Sequence, residues 1–319
     1  MTCSSGCNGR LGARRLLSFV AMVGATFGAA AYGEVRVVTT TPAFADIVRN
    51  VGGTHVSVES VMRGPEDVHS VSPRPSQMML LKRAALFVHA GLDGEPWAPL
   101  LVKGARNPNL LPGATGNVDV SAGIVLKEVP SRAQMTRALG DIHAFGNTHY
   151  ALDPLNGVII ARTVAEALKG VDAGNAGEYE SNCLQYEGRL RAMTARLVEA
   201  MRPYAGARVV TYHRSWPYFL DRFGLVSIGE VEPKPGISPG PRHFSECVEK
   251  MNAQNARVVI VEAFNPLENA EAVASRVGGR AVVMAQDVKA LPGVDSYESL
   301  FEHNVGKLIE AFKAVGTGE

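Results

Sequence analysis

The chain contains few cysteines and no excess of either charge. Only 4 cysteines occur in 319 residues, and two of them, Cys3 and Cys7, lie close to the N-terminus. The others, Cys183 and Cys247, fall in predicted helices, and we expect two buried thiols rather than a disulfide or a cysteine-based metal site. The formal net charge is +1 at pH 7, which gives no indication of binding to nucleic acid or to an acidic membrane surface.

The chain also lacks low-complexity segments, short-period repeats and the His-Glu-x-x-His motif of zinc proteases. These absences argue against a solenoid and against the commonest metalloprotease chemistry. Hydrophobic residues make up 46% of the chain and charged residues 20%, which is typical of a globular protein with sizeable cores. At 319 residues the chain is long enough for two domains.

Residues 1–33 have the composition of a secretory signal peptide. Arg10, Arg14 and Arg15 form a basic stretch, an apolar run follows over residues 16–31, and small residues end it. The apolar run is near or below the length that spans a bilayer, so a cleaved signal is favoured over a membrane anchor. No cysteine lies directly after the run, and we therefore expect no lipid attachment there. Removal of the three arginines would change the net charge from +1 to −2.

The rest of the chain contains two runs of apolar strands that alternate with helices. This alternation is typical of α/β folds in which parallel sheets carry helices on both faces. We therefore predict two α/β lobes, each a mainly parallel four-stranded sheet flanked by helices. The predicted strands of the first run are residues 35–40, 55–61, 85–89 and 118–120, and those of the second are residues 208–212, 225–231, 258–262 and 281–284.

One long helix is predicted between the two runs. Its apolar residues recur at steps of three and four, which places them on one face of an α-helix. Asn175 is the expected N-cap, and Pro203 the expected end. About 27 residues span roughly 40 Å, enough to bridge two lobes, although periodicity alone also allows a long core helix within one domain. The apolar stripe consists of Tyr179, Cys183, Tyr186, Leu190, Met193, Leu197 and Met201. The expected segments are a signal peptide at residues 1–33, an N-terminal lobe at 34–172, a linking helix at 173–202 and a C-terminal lobe at 203–319.

Three histidines lie on loops at the edges of the predicted sheets. In α/β folds, ligands bind beyond the carboxyl ends of the parallel strands. His69 follows the second predicted strand, His213 ends the first strand of the second run, and His149 precedes the helix start Asp153-Pro154. A single histidine at such a place is more often structural, but three in separate loops favour joint binding of a cation such as zinc.

The segments around these histidines resemble those of the zinc and manganese solute-binding proteins of ABC transporters, often called TroA-like proteins. The similarity runs from about residue 35 to about residue 308, and the combination of motifs is what makes it specific. The matching segments are Asp67-Val68-His69 with Pro73 and Pro75-Ser76, residues 82–92, Asn147-Thr148-His149 with Leu152-Asp153-Pro154, Tyr212-His213 with Tyr218-Phe219 and residues 222–225, Gly236-Ile237-Ser238-Pro239, and His303-Asn304-Val305.

The resemblance implies a fold and a role. In this family two α/β lobes are joined by one rigid helix, and the metal binds in the cleft between them. A family member binds a divalent transition metal outside the inner membrane and delivers it to the permease of an ABC transporter. The resemblance therefore implies a periplasmic protein that is not an enzyme, with His69, His149 and His213 as metal ligands. We expect it to be a monomer.

The resemblance leaves the fourth metal ligand open. The family usually supplies an Asp or Glu just after the last strand of the second lobe, and alignment places that position on Ala285. Asp287, two residues later, is therefore the candidate fourth ligand. The alternatives are a water molecule or another carboxylate, such as Glu232 or Glu262.

The remaining histidines are assigned no ligand role. His143 lies six residues before His149 and is expected to be an exposed loop residue, with an accessory metal contact as the alternative. The long His- and Asp-rich loop of some zinc-uptake members is absent, so we expect no metal-collecting loop. The histidines expected to be structural are His55, His89, His243 and His303.

Ligand chemistry favours zinc over manganese as the bound metal. Imidazole suits zinc, whereas manganese prefers carboxylate-rich sites, and the predicted site has three histidines with at most one carboxylate. The alternatives are a manganese-binding protein of the same type and a zinc hydrolase, because three histidines and a water also form a common catalytic zinc site. Hydrolysis would in addition need a general base and a donor to the developing oxyanion.

Overall fold

The structure is a computed structural model of the chain. It describes Met1, Gly6 and residues 34–131, 145–234 and 236–317. Apart from Met1 and Gly6, the predicted signal peptide lies outside the described residues, and so does His143. Within the described ranges the chain forms two four-stranded sheets with helices around them, which confirms the predicted fold class.

The first sheet consists of strands β1 (Val35–Thr39), β2 (Val56–Ser60), β3 (Leu86–His89) and β4 (Asn117–Asp119). All its pairings are parallel, and the strand order is β2-β1-β3-β4. In the centre, Val37 of β1 pairs with Val58 on one side and with Leu86 on the other. Val37 and Leu86 are buried, as expected for apolar strands that helices cover on both faces.

Helices precede and follow these strands. They are α1 (Pro42–Gly52), α2 (Pro75–Arg83), α3 (Ala98–Ala105) and α4 (Pro154–Val171). Thr41 is the N-cap of helix α1, and its hydroxyl accepts the N–H of Phe44 at 3.4 Å. Helix α4 begins at the predicted Asp153-Pro154, where Asp153 Oδ1 accepts the N–H of Leu155 at 2.9 Å. These starts fix the direction in which the preceding loops enter each helix.

The second sheet consists of strands β5 (Arg208–Thr211), β6 (Val226–Glu230), β7 (Val258–Glu262) and β8 (Arg280–Met284). It is also parallel, with the order β6-β5-β7-β8. Strand β7 is buried along its whole length, and its acidic last residue, Glu262, is therefore carried into the interior. The helices that accompany this sheet are α6 (Pro217–Arg222), α7 (Pro241–Ala253), α8 (Leu267–Ser275) and α9 (Tyr297–Ala314).

The long helix α5 (Ala176–Met201) connects the two sheets. Each residue of the predicted apolar stripe is buried. Asn175 stands at the N-cap position, but its side chain makes no capping hydrogen bond, and its Nδ2 donates to Asp172 at 2.7 Å. The helix ends at Met201, and a 3₁₀ turn over Arg202–Tyr204 contains the expected terminator Pro203.

The two lobes share one hydrophobic core along α5. Buried side chains of α4, α5 and α9 pack in a single cluster with strands from both sheets. Tyr297 of α9 is wholly buried, its ring lies 5.0 Å from that of Phe301, and its hydroxyl donates to the carbonyl of Ala151 at 2.6 Å. Two smaller clusters lie within single lobes, around Trp97 and around Val259. The lobes are therefore connected by packed side chains in addition to the covalent chain.

Cys183 on α5 and Cys247 on α7 are buried and unpaired, which confirms the expectation of two thiols. Burial raises the pKa of both Cys183 and Cys247, so each remains a neutral thiol near pH 7. In the part of the chain that the structure describes, no helix combines the length and the apolar character needed to cross a bilayer.

Two glycines of α4 give a matched test of the packing between α4 and α9. A Cβ atom added to Gly157 would lie 2.3 Å from the Tyr297 ring, whereas one added to Gly170 would meet no atom within 4 Å. We expect Gly157→Ala to lower the free energy of unfolding by about 1–3 kcal/mol, because the buried ring cannot move away. Gly170→Ala should raise it by up to about 1 kcal/mol through helix propensity. Urea unfolding of both variants measures the difference, and equal effects would contradict the packing described.

Candidate metal centre

The structure brings His69, His149 and His213 together from three separate loops. One ring nitrogen from each histidine lies within 4.8 Å of the other two. The ring centroids are 5.1 Å apart for His69 and His149, 5.6 Å for His149 and His213, and 6.0 Å for His69 and His213. His69 lies between β2 and α2, His149 just before α4, and His213 just after β5. The first two belong to the lobe of the first sheet, and the third to the lobe of the second.

Two hydrogen bonds to residues 94–97 fix the loop that carries His69. His69 Nδ1 is 2.9 Å from the carbonyl oxygen of Gly94, and Trp97 Nε1 donates to the carbonyl of Val68 at 2.7 Å. A carbonyl can only accept, so Nδ1 of His69 carries the proton and Nε2 keeps its lone pair. Gly94 approaches Thr148 so closely that an added Cβ would lie 2.7 Å from the Thr148 Cβ. A glycine is therefore needed at this point.

His149 lies in a turn that Asn147 closes. The backbone N–H of His149 donates to Asn147 Oδ1 at 3.0 Å, which is the hydrogen bond of an Asx turn. This turn directs the ring towards the first histidine, so that His149 Nε2 lies 3.2 Å from His69 Nε2.

His213 is oriented by a buried carboxylate. Its Nδ1 contacts Glu232 Oε1, and Glu232 Oε2 accepts the N–H of Gly236 at 3.0 Å. Burial alone would lower the pKa of His213, but the hydrogen bond to Glu232 and the negative charges of Glu262 and Glu232 outweigh burial and raise it. Glu232 therefore supports the ring through Nδ1 and leaves Nε2 to face the other two histidines.

The separation between the His69 and His149 nitrogens fits a zinc ion. Zinc–nitrogen bonds of about 2.0–2.1 Å in a tetrahedral site place two imidazole nitrogens about 3.3 Å apart. The observed 3.2 Å between His69 Nε2 and His149 Nε2 is close to that value. Among the described residues, the group of ligand atoms that lie mutually within 4.8 Å contains no carboxylate. The donor set among the described residues is thus three imidazoles.

Asp287 is not part of this histidine group. The side chain is 6% exposed and lines the same small pocket as His149, but its Oδ1 accepts the backbone N–H groups of Ala43 and Val288 at 2.8 and 2.7 Å. Burial raises the pKa of Asp287 to about 8. Asp287 therefore connects the loop after β8 to the start of α1.

The other candidate positions for a fourth ligand have different surroundings. Ala285 is wholly buried in the shared core, and its backbone is held on both sides by Asn304, with N···O distances of 2.9 and 2.8 Å. Glu262 accepts from Trp216 Nε1 at 2.6 Å and from Asn265 at 2.9 Å. Glu232 contacts the far side of the His213 ring. None of these three belongs to the described group of ligand atoms.

The histidines expected to be structural lie outside the group. His55 contacts Glu178 at 2.7 Å, His89 contacts Asn117 at 2.9 Å, and His243 contacts the carbonyl of Glu230 at 3.1 Å. His303 lies on α9, where burial lowers its pKa. His143 lies outside the described residues, so its predicted exposure stays a prediction.

One hydrolase-like pattern is present in the sequence. Gly236-Ile237-Ser238-Pro239-Gly240 has the spacing Gly-x-Ser-x-Gly of the α/β-hydrolase nucleophile elbow. That elbow needs a sharp turn directly between a strand and a helix. Here the segment lies in the long connection between β6 and α7, separated from Glu230 at the end of β6. Its local structure therefore does not match the elbow.

The supporting residues were not found from the sequence. Asn147 and Gly94 act through hydrogen bonds and close approach between segments that lie far apart in the chain, so the sequence pattern gave no direct signal for them. Glu232 was considered only as a possible ligand, although an acidic residue just after β6, beside the end of β5, could have indicated a partner for His213.

Asp287→Asn should reduce the dependence of stability on pH in the metal-free protein. The pKa of Asp287 is about 8 in the folded state, against an ordinary value of 3.8. Between these values the folded state holds a proton that the unfolded state has lost, so stability falls as pH rises, by up to about 1.4 kcal/mol per pH unit for one such group. Asparagine keeps an oxygen for Ala43 and Val288 but has no proton to lose.

Urea unfolding of the wild type and Asp287→Asn at pH 5 and pH 8 measures this effect. The variant should keep only the pH slope that other groups cause, including Glu95, whose pKa burial raises to about 7. We also expect its zinc affinity to stay within about threefold of the wild type. Equal slopes would contradict the buried neutral state, and a loss of zinc binding beyond about 100-fold would identify Asp287 as a ligand.

Comparison with known proteins shows that the chain is similar to proteins of metal uptake. The family model of the periplasmic component A of the zinc-uptake complex, ZnuA, matches residues 37–311. The metal ABC transporter substrate-binding lipoprotein FimA of Streptococcus parasanguinis is 25% identical over 292 residues, covering 88% of this chain and 90% of that protein. The manganese ABC transporter substrate-binding lipoprotein PsaA of Streptococcus pneumoniae is 24% identical over 287 residues, covering 87% and 88%.

Solved structures show the same architecture. A ZnuA deletion mutant with zinc bound superimposes with a TM-score of 0.73 at 23% sequence identity, covering 87% of this chain and 98% of that chain. At this level of identity the similarity shows the fold, with its two four-stranded sheets and the long helix between them.

Proposed function

The chain belongs to the ZnuA family of periplasmic zinc-uptake components, and from this premise we propose that it captures Zn²⁺ between its two lobes and delivers it to the permease of an ABC transporter. Members of this family are solute-binding proteins of metal transporters, not enzymes. The proposed ligands are His69, His149 and His213, with the metal as transported substrate.

The separation of 3.2 Å between His69 Nε2 and His149 Nε2 is the observation that carries this proposal. Two imidazoles approach so closely when one donates to the other or when both face a cation. The carbonyl of Gly94 fixes one tautomer of His69, and Glu232 occupies Nδ1 of His213, while one nitrogen of each of the three rings lies within 4.8 Å of the others. That arrangement supports a preformed three-nitrogen site.

The set of three imidazole ligands supports zinc over manganese. The relatives include proteins named for zinc and for manganese, so similarity alone leaves both metals open. Divalent manganese binds most weakly of the first-row metals to a given nitrogen site and prefers oxygen ligands. A group of three imidazoles without a carboxylate among the described residues therefore favours zinc.

Metal analysis of the purified protein tests the proposal. Native mass spectrometry of protein prepared without a chelator should show one zinc ion per chain. Competition titration with a chelating indicator should then give a Kd for zinc at least about 100-fold below that for manganese, in keeping with the ligand preferences of the two metals. A protein that takes up no zinc, or that binds manganese more tightly, would refute the proposal.

We also propose that the protein is exported and acts as a monomer outside the inner membrane. Residues 1–33 would be removed, leaving an N-terminal lobe at residues 34–172, the linking helix at 173–202 and a C-terminal lobe at 203–319. The intact mass of protein from the extracytoplasmic fraction should correspond to a chain that begins near residue 34. A mass that still includes Arg10, Arg14 and Arg15 would contradict cleavage.

A further inference from the structure

Asn147 makes hydrogen bonds to both lobes from a buried position. It is 7% exposed. Its Oδ1 accepts the N–H of His149 at 3.0 Å, and its Nδ2 donates at 2.9 Å both to Glu128 Oε2 and to the backbone carbonyl of Arg214. Its own carbonyl accepts the hydroxyl of Tyr218 at 2.8 Å. One amide side chain is thereby bonded to the residue that follows His213 and to the backbone of His149.

We propose that Asn147, Glu128 and Arg214 form a latch that holds His213 of one lobe against His149 of the other and so limits the rate at which the bound metal leaves. This inference rests on the proposed function, because it assigns a regulatory role at the same site. The latch is a positioning device, since none of its three residues belongs to the group of metal ligands.

The connection to both histidines is direct. Arg214 follows His213 in the chain, so a hydrogen bond to its carbonyl restrains the backbone that carries the His213 ring. The Asx turn restrains the backbone of His149 from the same side chain. A movement of one lobe away from the other must therefore break a bond of Asn147 before the two rings separate.

Glu128 completes the latch. Its Oε1 pairs with Arg214 at 2.9 Å, and its Oε2 accepts from Asn147, so both of its oxygens are used. Glu128 adopts a left-handed conformation with φ of 54°, which an L-residue rarely occupies. The strained backbone places its carboxylate between Asn147 and the Arg214 side chain.

The buried amide of Asn147 contributes more to the latch than the ion pair between Glu128 and Arg214 does. The Arg214 side chain is 62% exposed and that of Glu128 is 29% exposed, so water and salt weaken their attraction. The bond from Asn147 to the Arg214 carbonyl is shielded by comparison. The carbonyl of Arg214, rather than its guanidinium group, is therefore the essential partner.

Two ion pairs between the lobes, among the residues that the structure describes, do not adjoin a histidine of the group. Arg222 forms two hydrogen bonds of 2.8 Å with Asp153, and Lys127 pairs with Asp221 at 2.6 Å. These pairs join the lobes, but none of the four residues lies next to His149 or His213 in the chain. They stabilise the closed arrangement without fixing the histidines directly.

Asn147→Asp separates the two functions of the side chain. A carboxylate still accepts the N–H of His149, so the Asx turn is kept, but it cannot donate to Glu128 or to the Arg214 carbonyl. We expect zinc release into excess chelator, followed by stopped-flow fluorescence, to become about 10–100-fold faster, the range typical of lost supporting partners. The association rate should change by less than about threefold, because the ligands themselves are intact.

Three further variants make the test specific. Asn156→Asp is the matched control, because Asn156 donates only to the nearby carbonyl of Tyr150 at 2.9 Å, and its release rate should equal that of the wild type. Arg214→Ala keeps the carbonyl and should release zinc within about threefold of the wild-type rate. Glu128→Gln in the Asn147→Asp background removes the repulsion between two neighbouring carboxylates but restores no donor to the Arg214 carbonyl, so release should stay at least about threefold faster than in the wild type.

The outcomes distinguish the latch from the proposed function. If the wild type binds no zinc, the proposed function fails and the latch fails with it. If the wild type binds zinc and Asn147→Asp releases it at the wild-type rate, or if Glu128→Gln in that background restores the wild-type rate, only the latch is refuted. Should Asn147→Asp not fold, Asn147→Ser replaces it, because a hydroxyl also accepts the His149 N–H but cannot reach two partners; an unchanged release rate would again refute the latch.

Discussion

Replacing His213 with alanine will weaken zinc binding by more than about 100-fold. The loss of a residue that only supports a ligand typically costs 10–100-fold in metal affinity, and the loss of a ligand exceeds that range. The substitution also leaves the Glu232 carboxylate buried without the ring that it contacts. Competition titration against a chelating indicator at pH 7.5 measures the affinity. His69→Ala and His149→Ala should give losses of the same size.

His303→Ala is the matched control for these three variants. His303 lies on α9 of the second lobe, outside the histidine group, and its removal should leave zinc affinity unchanged. If any one of the three site variants binds zinc within a few-fold of the wild type, that histidine is not a ligand. Melting temperatures of the metal-free variants separate lost ligation from lost folding.

Zinc affinity will fall by more than about 1000-fold between pH 7 and pH 5. A ligating imidazole must be neutral, and free histidine titrates near pH 6.5, so protons compete at all three positions over this range. The pKa of His213 is raised: burial lowers it, but the hydrogen bond to Glu232 and the nearby negative charges outweigh burial. A raised pKa means that, in the metal-free protein, His213 takes up its proton at a higher pH than free histidine does, so proton competition at this ring begins earlier as the pH falls.

The titration is repeated at half-unit steps of pH, with the affinity of the indicator corrected at each step. Circular dichroism at pH 5 shows whether the protein remains folded where binding is lost. A decrease of less than about tenfold across the range would mean that fewer than three imidazoles hold the metal.

Much of the fold was predictable because its signals are local. The continuous apolar sequence of strands such as β7 indicates that they are buried, and the apolar stripe of α5 follows the helical repeat. The three histidines were predictable as a group because each lies on a loop next to a predicted strand end or helix start, and because the segments around them resemble one family. Helix α4 was predicted only at its start, where Asp153-Pro154 gives a capping signal.

The details of the site depend on contacts between distant segments, and these have no local signal. Asp287 was the candidate fourth ligand because of its place in the chain. In the structure its Oδ1 accepts the N–H of Ala43, which is 244 residues away in sequence. A polar partner far away in the chain therefore determines the position of this side chain.

The core that α4, α5 and α9 share has a consequence for cooperativity. Because side chains from both lobes pack in one cluster, neither lobe can lose its structure while the other keeps a complete interior. The protein should therefore behave thermodynamically as one folding unit, although its architecture has two sheets. An ion bound at the proposed histidine site would then stabilise both lobes together by mass action, although its ligands come from only three loops.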